Sequence, residues 1–251
     1  MMRAPRALFA MLVLLCAIPA RAEKLRIAVF QLEPFMMETE SGPGGVTVEY
    51  WRRFIAPRMG VEIEVLGPFP ISRAVMMLEN GEVDVVPQLT KIPDREARFL
   101  YPQSHLTLIK SCVIVRRDSP LVQATSPSQF FGLRIGFMRD TYIPEFFVDT
   151  RITIELIANQ DYREVNLRKL LAGRIDAMLD INYESMIYYL AQNEMLGEVR
   201  VLLIPVEPVK VYSIFRKDER GRRLLAAFEK ANREGLALGE FDRLAHEAVP
   251  R

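Results

Sequence analysis

A short pattern that joins a helix end to a buried strand occurs twice in this sequence, and it constrains the fold more than any other feature. Leu78 to Asp84 reads LENGEVD, and Leu170 to Asp176 reads LLAGRID. In each copy a glycine, a favoured helix stop, precedes an apolar residue and an aspartate. Two copies about 90 residues apart predict two similar α/β units facing each other, although the pattern is common enough at such joins to arise by chance.

Polar residues follow each copy at the far end of its strand. Gln88 and Asp180 each lie seven residues after the glycine of their copy, and Thr90 and Arg95 follow Gln88. Polar groups and a guanidinium at the carboxyl edge of an open α/β sheet are typical of sites for small anions. Two alternatives stay open, because Arg95 could pair with a neighbouring acid on a solvated turn and Asp180 could cap the turn that follows it.

Strand and helix patterns alternate along the chain, which predicts an α/β fold with mostly parallel sheets. Helical faces are predicted at 46–59, with Trp51 in the core, at 72–80, with Ser72 as its cap, and from Leu224 to the end. Further helices are predicted at 162–172 and 183–195, and strands at 25–30, 62–66, 83–86, 110–115, 133–138, 153–158, 175–181, 199–206 and 209–215.

The first 22 residues have the form of an export signal. Arg3 and Arg6 precede an apolar run from Ala7 to Ile18 that is too short to span a bilayer, and Ala20-Arg21-Ala22 is a cleavage site of the small-residue type. We therefore expect cleavage after Ala22 and a periplasmic mature protein.

Composition argues against several classes of function. The chain has 33 Lys and Arg against 32 Asp and Glu, a balance that gives no support to nucleic-acid or membrane-surface binding. Cys112 is the only cysteine after the signal, so no intramolecular disulfide is expected. His105 and His246 are far apart and without clustered carboxylates, so we expect no metal site. No glycine-rich phosphate loop or G-x-S-x-G elbow follows a strand, and we expect no cofactor.

Taken together, these features resemble the type II periplasmic solute-binding proteins, specifically the amino-acid-binding family 3. The resemblance covers Glu23 to Val249, and its most specific parts are 81–95, 131–136, 173–180 and 215–218. It implies two α/β lobes joined by two hinge strands, with a ligand cleft between them. The implied boundaries are 23–109 for the first part of lobe 1, 110–209 for lobe 2, and 210–251 for the return to lobe 1.

The resemblance also implies roles for individual residues. Arg95 would bind the ligand's α-carboxylate with both arms of its guanidinium, beside the polar groups of Gln88 and Thr90. From lobe 2, Thr141 would donate to the same carboxylate, and Asp180 would hold an α-ammonium group.

Several positions depart from the family pattern and resemble a divergent proteobacterial branch whose members often lack an obvious transporter. Asp140 replaces a glycine, and its carboxylate would repel a carboxylate ligand unless Arg139 or Arg95 offsets it. Leu32 stands where an aromatic residue often sandwiches the ligand, which leaves Phe35 or Tyr142 as substitutes. Ile92 stands where the family pattern has a threonine. Arg73 is expected to add a second cation near the cleft.

The favoured hypothesis is a monomeric binding protein that captures a small polar metabolite, such as an amino acid or a related carboxylate. It would deliver this ligand to the membrane component of an ABC transporter or to a sensor. The alternative is a periplasmic enzyme that resembles cyclohexadienyl dehydratase, with Glu33 or Asp140 as general acid. The regulatory lobe pair of a cell-wall lytic enzyme is less favoured, because no catalytic domain is expected after Arg251.

Overall fold

The computed structural model describes residues 23–139, 141–158 and 161–248. The predicted export signal at 1–22, with its cleavage site after Ala22, and the predicted site residue Asp140 lie outside these described residues. None of the helices in the described ranges is long and apolar enough to cross a membrane.

The described chain alternates between strands and helices. The strands are β1 (Glu23–Phe30), β2 (Met37–Thr39), β3 (Gly42–Gly44), β4 (Val61–Phe69), β5 (Val85–Thr90), β6 (Phe99–Leu100), β7 (Thr107–Ile109), β8 (Cys112–Arg116), β9 (Arg134–Met138), β10 (Thr153–Ile157), β11 (Ala177–Asp180), β12 (Val199–Leu203) and β13 (Val209–Arg216). The α-helices are α1 (Val46–Tyr50), α2 (Ala56–Met59), α3 (Ile71–Glu79), α4 (Pro93–Arg98), α5 (Tyr162–Leu171), α6 (Tyr183–Gln192), α7 (Glu219–Leu238) and α8 (Glu240–Ala248). A π-helical turn (Trp51–Ile55) joins α1 to α2, and 3₁₀ turns lie at Pro127–Phe130 and Glu145–Phe147.

The first large sheet has the strand order β4-β1-β5-β13-β6, and β7 also pairs with β13. β1 is parallel to β4 and β5, whereas β13 is antiparallel to β5. Helices α1, α2, α3, α7 and α8 pack on this sheet and on one another. We call this sheet with its helices lobe 1.

The second large sheet has the strand order β10-β9-β11-β8-β12. β9 is parallel to both of its neighbours, and β8 is antiparallel to β11 and β12. Leu167 and Leu170 of α5 pack against this sheet together with Met186 and Leu190 of α6. We call this sheet with its helices lobe 2.

The chain crosses between the two sheets twice. It leaves lobe 1 between Ile109 and Cys112, and it returns between Leu203 and Val209. The crossings lie beside the boundaries predicted at 109 and 209. Since β7 pairs with β13, the outgoing and returning segments lie next to each other.

Each lobe has its own hydrophobic core. In lobe 1, Trp51 stacks on Phe228 with ring centroids 5.0 Å apart, and both side chains are fully buried, which confirms the predicted core position of Trp51. In lobe 2, Phe130 and Phe137 belong to a cluster on one face of the sheet, and Leu167 belongs to a cluster on the other face. Burial of each such side chain contributes about 1.5–3 kcal/mol.

The first copy of the repeated pattern folds into a hydrogen-bonded corner in lobe 1. The carboxylate of Asp84 accepts a hydrogen bond from the backbone amide of Arg26 at 2.9 Å, and the Arg26 guanidinium donates to the carbonyl of Gly81 at 3.0 Å. This corner fixes the start of β5 against β1.

The second copy folds in the same way in lobe 2. Asp176 accepts from the backbone amide of Arg134 at 2.9 Å, and the Arg134 guanidinium donates to the carbonyl of Gly173 at 3.1 Å. We call each arrangement an Arg–Asp corner. The two copies of the sequence pattern therefore have the same local structure.

Two helix boundaries differ from the prediction. Ser72 does not cap α3, because the helix starts one residue after Pro70 and Ser72 lies inside its first turn. The C-terminal helix starts before Leu224, with the Asp218 side chain as its cap, and it breaks at Gly239, which has a left-handed φ of 64°. The predicted single helix is therefore two helices, α7 and α8.

Candidate ligand-binding cleft

A small cavity of about 60 Å³ lies between the two sheets, and we call it the inner cavity. Lobe 1 contributes Gln88, Thr90 and Arg95 to its lining, and lobe 2 contributes Thr141 and Asp180. The structure thus brings together five of the predicted site residues, two from β5, one from α4, one from the loop after β9 and one from β11. Most of the remaining lining is apolar, with Phe30, Leu32, Ile71, Phe137 and Met138 among its members.

A larger cavity of about 840 Å³ adjoins the inner cavity, and we call it the outer cleft. Arg95 and Tyr162 line both spaces, so a ligand bound by one can extend into the other. Glu33 and Arg163 line the outer cleft. A ligand can therefore place a charged group in the inner cavity and the larger remainder of the molecule in the outer cleft.

Arg95 lies in the short helix α4, which follows β5 directly. Pro93 starts this helix, and the turn carries the Arg95 side chain back under the end of the strand. The residue is 5% exposed, and its Nη1 donates to the carbonyl of Thr90 at 3.3 Å. Tyr101 donates to the same carbonyl at 3.1 Å. The guanidinium is thus held at the carboxyl edge of the lobe 1 sheet.

Gln88 lies within β5 in a backbone conformation that is rare for a residue with a side chain. Its φ is 62°, in the left-handed region that favours glycine. Its Nε2 donates to the hydroxyl of Thr47 at 3.0 Å, and its buried Oε1 has no hydrogen-bond partner among the described residues. Because the Thr47 hydroxyl can donate as well as accept, Gln88 can present either end of its amide to a ligand.

Thr141 lies in the loop after β9, at the carboxyl edge of the lobe 2 sheet. Its side chain is partly exposed, and its hydroxyl donates to the carbonyl of Arg139 at 3.3 Å. The loop therefore brings a hydroxyl from lobe 2 to the inner cavity that Arg95 of lobe 1 also lines.

Asp180 ends β11, and its carboxylate is 1% exposed and extensively hydrogen-bonded. Its Oδ2 accepts from the hydroxyl of Tyr162 at 2.8 Å and from Nε of Arg163 at 3.0 Å. Its Oδ1 accepts from the backbone amide of Asn182 at 2.8 Å. The last bond is the turn cap considered above, so the cap and the cavity position occur together.

Arg163 is the buried partner of Asp180, with a side chain that is 9% exposed. Its Nη1 donates to the hydroxyl of Ser185 at 2.8 Å. Burial favours the neutral form, but the negative charge of Asp180, together with the neighbouring Tyr162 and the hydrogen bonds to both residues, outweighs burial and raises the pKa of the Arg163 guanidinium. Arg163 is therefore a permanent cation beside the cleft.

The hydroxyl of Ser185 also reaches across to lobe 1. It donates to the backbone carbonyl of Glu33, in the loop after β1. The Glu33 carboxylate accepts from Gln31 at 2.5 Å and lines the outer cleft. A continuous chain of hydrogen bonds thus runs from Asp180 through Arg163 and Ser185 to the other lobe.

Three predicted site residues lie elsewhere. Phe35 is buried in the lobe 1 core, where it stacks on Phe241 with ring centroids 6.1 Å apart. Arg73 is exposed, with its guanidinium 5.2 Å from the centre of the Phe69 ring. Tyr142 is partly exposed, and neither it, Phe35 nor Arg73 is among the described residues that line the two cavities.

The sequence analysis missed Tyr162, Arg163 and Ser185. A signal for the first two exists, because they start α5 just after the carboxyl end of β10, where open α/β sheets place binding groups. In the described ranges, no group of three or more His, Cys, Asp or Glu side chains is placed to hold a metal ion.

Comparison with solved structures places this fold among known binding domains. A histidine kinase sensor domain with similarity to periplasmic binding proteins matches with a TM-score of 0.74 and 20% identity, over 92% of this chain and 99% of the other. An ancestral arginine-binding protein bound to glutamine matches with a TM-score of 0.71 and 20% identity, over 90% and 97% of the two chains. AbpA of Streptococcus pneumoniae, an amino acid ABC transporter substrate-binding protein bound to L-arginine, matches with a TM-score of 0.72 and 16% identity, over 91% and 97%.

These similarities confirm the predicted fold class, an α/β architecture of two lobes as in type II periplasmic binding proteins. A search of functionally curated proteins finds no significant match. The sequence model of one family, however, matches residues 25–248, almost the whole described chain. The predicted family is thereby confirmed, and this chain belongs to the bacterial extracellular solute-binding proteins, family 3.

Proposed function

We propose that this protein captures a small metabolite with a carboxylate group between its two lobes and presents it to a membrane transporter or a sensor. It acts as a monomer in the periplasm, after removal of residues 1–22. Solute binding follows from the family, and the structures that it resembles include both a substrate-binding protein of an amino acid ABC transporter and a histidine kinase sensor domain.

One observation carries this proposal, namely that a buried guanidinium from lobe 1 and polar groups from lobe 2 line the same cavity. Arg95 has two parallel N–H arms that match a planar carboxylate, and charge-assisted bonds of this kind are about twice as strong as neutral ones. Thr141 can donate to the same carboxylate from the other lobe. A ligand held from both sides stabilises the closed arrangement of the lobes.

A binding screen tests this proposal on the mature chain, residues 23–251. We expect a carboxylate ligand to raise the melting temperature of the wild type, with a shift that grows with ligand excess. Arg95→Ala should weaken binding in calorimetry by roughly 10- to 100-fold, because a charged hydrogen-bond pair is lost. Arg53→Ala is the matched control, since that arginine is exposed on lobe 1 and pairs with Glu49. If the ligand shifts the melting temperature of wild type and Arg95→Ala equally and binds both with equal affinity, Arg95 is not part of the binding site.

The dehydratase alternative keeps one observation in its favour, because Glu33 lines the outer cleft beside Arg163. Incubation of purified wild type and Glu33→Gln with prephenate or arogenate, followed by chromatography, separates the two functions. Product formed by the wild type and lost in Glu33→Gln supports the enzyme. We expect no turnover by either protein.

A further inference from the structure

The inner cavity and the outer cleft join at a passage whose lining is mostly apolar. Six of the described residues line both spaces, and we call them the neck residues; they are Phe30, Leu32, Ile71, Arg95, Met138 and Tyr162. Four of these six side chains are apolar. The Tyr162 hydroxyl donates to Asp180 at 2.8 Å and accepts from Arg163 at 3.1 Å, so the Tyr162 ring is the part of this residue that remains for a ligand. The portion of a ligand between the two spaces therefore contacts mainly carbon.

The inner cavity has room for only a small part of a ligand. Its volume of about 60 Å³ corresponds to roughly four to six water-sized groups. A carboxylate group and the carbon next to it fill most of this space. A larger ligand must therefore extend past the neck residues into the outer cleft, whose volume is about 840 Å³.

Beyond the neck residues, apolar side chains from both lobes line the outer cleft. Lobe 1 contributes Val75 and Met76 from α3, and Met76 is 52% exposed. Lobe 2 contributes Tyr189 of α6 and Ile157 of β10, which is paired in the sheet with the neck residue Met138. Apolar side chains that remain exposed around a cleft are stabilised when an apolar group of a ligand covers them, because both surfaces leave water.

Several charged side chains of the outer cleft are bound to one another. Arg98 donates to Glu79 at 3.0 Å and to Asp94 at 2.7 Å, and all three residues line the cleft. Arg163 pairs with Asp180 at 3.0 Å. A charged group of a ligand in this cleft would have to compete with these pairs, whereas an uncharged apolar group leaves them in place.

We infer that the ligand carries a hydrophobic group, aliphatic or aromatic, that extends from its carboxylate past the neck residues into the outer cleft. The inference rests on the proposed function, which supplies the carboxylate. Because the hydrophobic group contacts both lobes, its burial stabilises the closed arrangement, and this contribution grows with the size of the group.

Two chain-length series test the inference on the wild-type mature protein. One series is butanoate, hexanoate and octanoate, and the other is L-alanine, L-norvaline, L-norleucine and L-2-aminooctanoate, so that the result does not depend on the substituent at the α-carbon. In each series that binds, we expect calorimetry to show an affinity that rises roughly threefold to fourfold per methylene. Equal affinity along every series that binds overturns the inference.

A charge at the far end of the chain should oppose this gain. Adipate differs from hexanoate by a second, terminal carboxylate, and L-lysine differs from L-norleucine by a terminal ammonium group. We expect the charged member of each pair to bind at least roughly 10-fold more weakly, because its terminal group would lose water among apolar side chains. A charged member that binds as tightly as its uncharged partner overturns the inference.

Nonspecific adsorption also increases with chain length, so variants of one strand locate the effect. Ile157→Thr places a hydroxyl in the lining of the outer cleft and should weaken binding of the longest ligands roughly threefold to tenfold, while the shortest ligands bind unchanged. Leu156→Thr is the matched control, because adjacent strand residues point to opposite faces and Leu156 is not among the described residues that line the two cavities. It should change no affinity. Equal losses in the two variants would place the long chain outside the cleft and overturn the inference.

Met76→Gln repeats this test from lobe 1, at an exposed helix position where the substitution leaves the core intact. Circular dichroism checks that each variant is folded, and Met76→Gln decides the question if Ile157→Thr does not fold. Carboxylates that lose affinity in Arg95→Ala but bind equally at every chain length overturn the inference and leave the proposed function standing. If no carboxylate of either series binds, the proposed function and the inference fall together.

Discussion

The two lobes have the same Arg–Asp corner at the amino ends of their strands but differ at the carboxyl ends. Asp84 and Asp176 each accept from the backbone amide of an arginine at 2.9 Å. At the other end of the same sheets, lobe 1 contributes the guanidinium of Arg95 to the inner cavity, whereas lobe 2 contributes the carboxylate of Asp180, which pairs with Arg163. The end that repeats holds each lobe together, and the end that differs carries the proposed ligand site.

The corners themselves differ in burial, and this difference follows from the path of the chain. Asp84 is 2% exposed because Arg220 of α7 covers it and donates to it at 2.8 Å. Asp176 is 35% exposed, and its salt-bridge partner Arg134 is 47% exposed. The C-terminal helices α7 and α8 pack on lobe 1. The Arg–Asp corner of lobe 1 is therefore buried, whereas the corner of lobe 2 remains partly exposed to solvent.

The largest expected effect comes from removing the two corner carboxylates one at a time. Asp84→Ala should lower the free energy of unfolding by about 3–5 kcal/mol, because it removes the acceptor of the Arg26 amide and a charged hydrogen-bonded partner of Arg220. Asp176→Ala should cost about 1 kcal/mol, because its partners remain hydrated. Two signals distinguish the lobes during urea unfolding. Tryptophan fluorescence follows lobe 1, because Trp51 is the only tryptophan and lies in its core. Circular dichroism follows both lobes.

We therefore expect Asp84→Ala to shift the fluorescence transition, and Asp176→Ala to shift mainly the transition seen by circular dichroism. Equal losses in the two variants would mean that the burial of the lobe 1 corner contributes nothing to its strength.

The next largest effect is expected at a position where the equivalent strands of the two lobes, β1 and β9, carry different residues. Lobe 1 has the buried Ala28 two residues after its corner arginine, whereas lobe 2 has Gly136. A Cβ at Gly136 would collide with Asn166 and lie 2.8 Å from Ile175, so Gly136→Ala should destabilise lobe 2 by about 1–3 kcal/mol.

Circular dichroism during urea unfolding measures this loss, and the Trp51 fluorescence transition should stay in place. Gly197→Ala is the control, because a Cβ there meets no atom within 4 Å. If Gly136→Ala and Gly197→Ala are equally stable, α5 packs on β9 more loosely than the structure shows.

A smaller effect is expected at the corner glycines, which both adopt a left-handed backbone. Gly173 has a φ of 66°, with the nearest side-chain atom 3.7 Å from the position of a Cβ, so Gly173→Ala should cost about 1–2 kcal/mol from backbone strain alone. Gly81 has a φ of 77°, and a Cβ there would also displace the guanidinium of Arg216. Gly81→Ala should therefore cost more than Gly173→Ala in urea unfolding, and the reverse order would contradict the comparison.

The parts of this molecule that the sequence predicts are those that depend on neighbours along the chain. The helix-to-strand pattern of each corner is local, and so is the spacing from Gly81 to Gln88 and from Gly173 to Asp180. Because parallel strands end at one edge of a sheet, this local information is enough to place Gln88 and Asp180 at the carboxyl edges of their two sheets.

What the sequence does not predict depends on how elements pack after they form. Phe35 lies in the core because it stacks on Phe241, about 200 residues later in the chain. Arg163 reaches Asp180 only because α5 is rotated so that the first turn of this helix faces the end of β11. No periodicity within α5 reveals that rotation, so local sequence patterns do not predict the contact between Arg163 and Asp180.

The smallest expected effect is a difference in acid sensitivity between the lobes. Burial alone would raise the pKa of Asp84, but hydrogen bonds from Arg220 and the Arg26 amide outweigh it and hold the pKa below the ordinary 3.8. A carboxyl with a lowered folded-state pKa stabilises the fold above its unfolded-state pKa, and this contribution is lost as the pH falls through the folded-state value.

Between pH 6 and pH 3, the urea midpoint of the Trp51 fluorescence transition should therefore fall more steeply in the wild type than in Asp84→Asn, which has no carboxyl to protonate. The pKa of Asp176 is lowered as well, chiefly by its bond from the Arg134 amide, but solvent weakens the effect of charge there. Asp176→Asn should accordingly flatten the circular dichroism profile less than Asp84→Asn flattens the fluorescence profile. If the urea midpoints of wild type and Asp84→Asn fall in parallel with pH, Asp84 has the same pKa in the folded and unfolded chain. The difference in burial between the two corners would then have no electrostatic consequence.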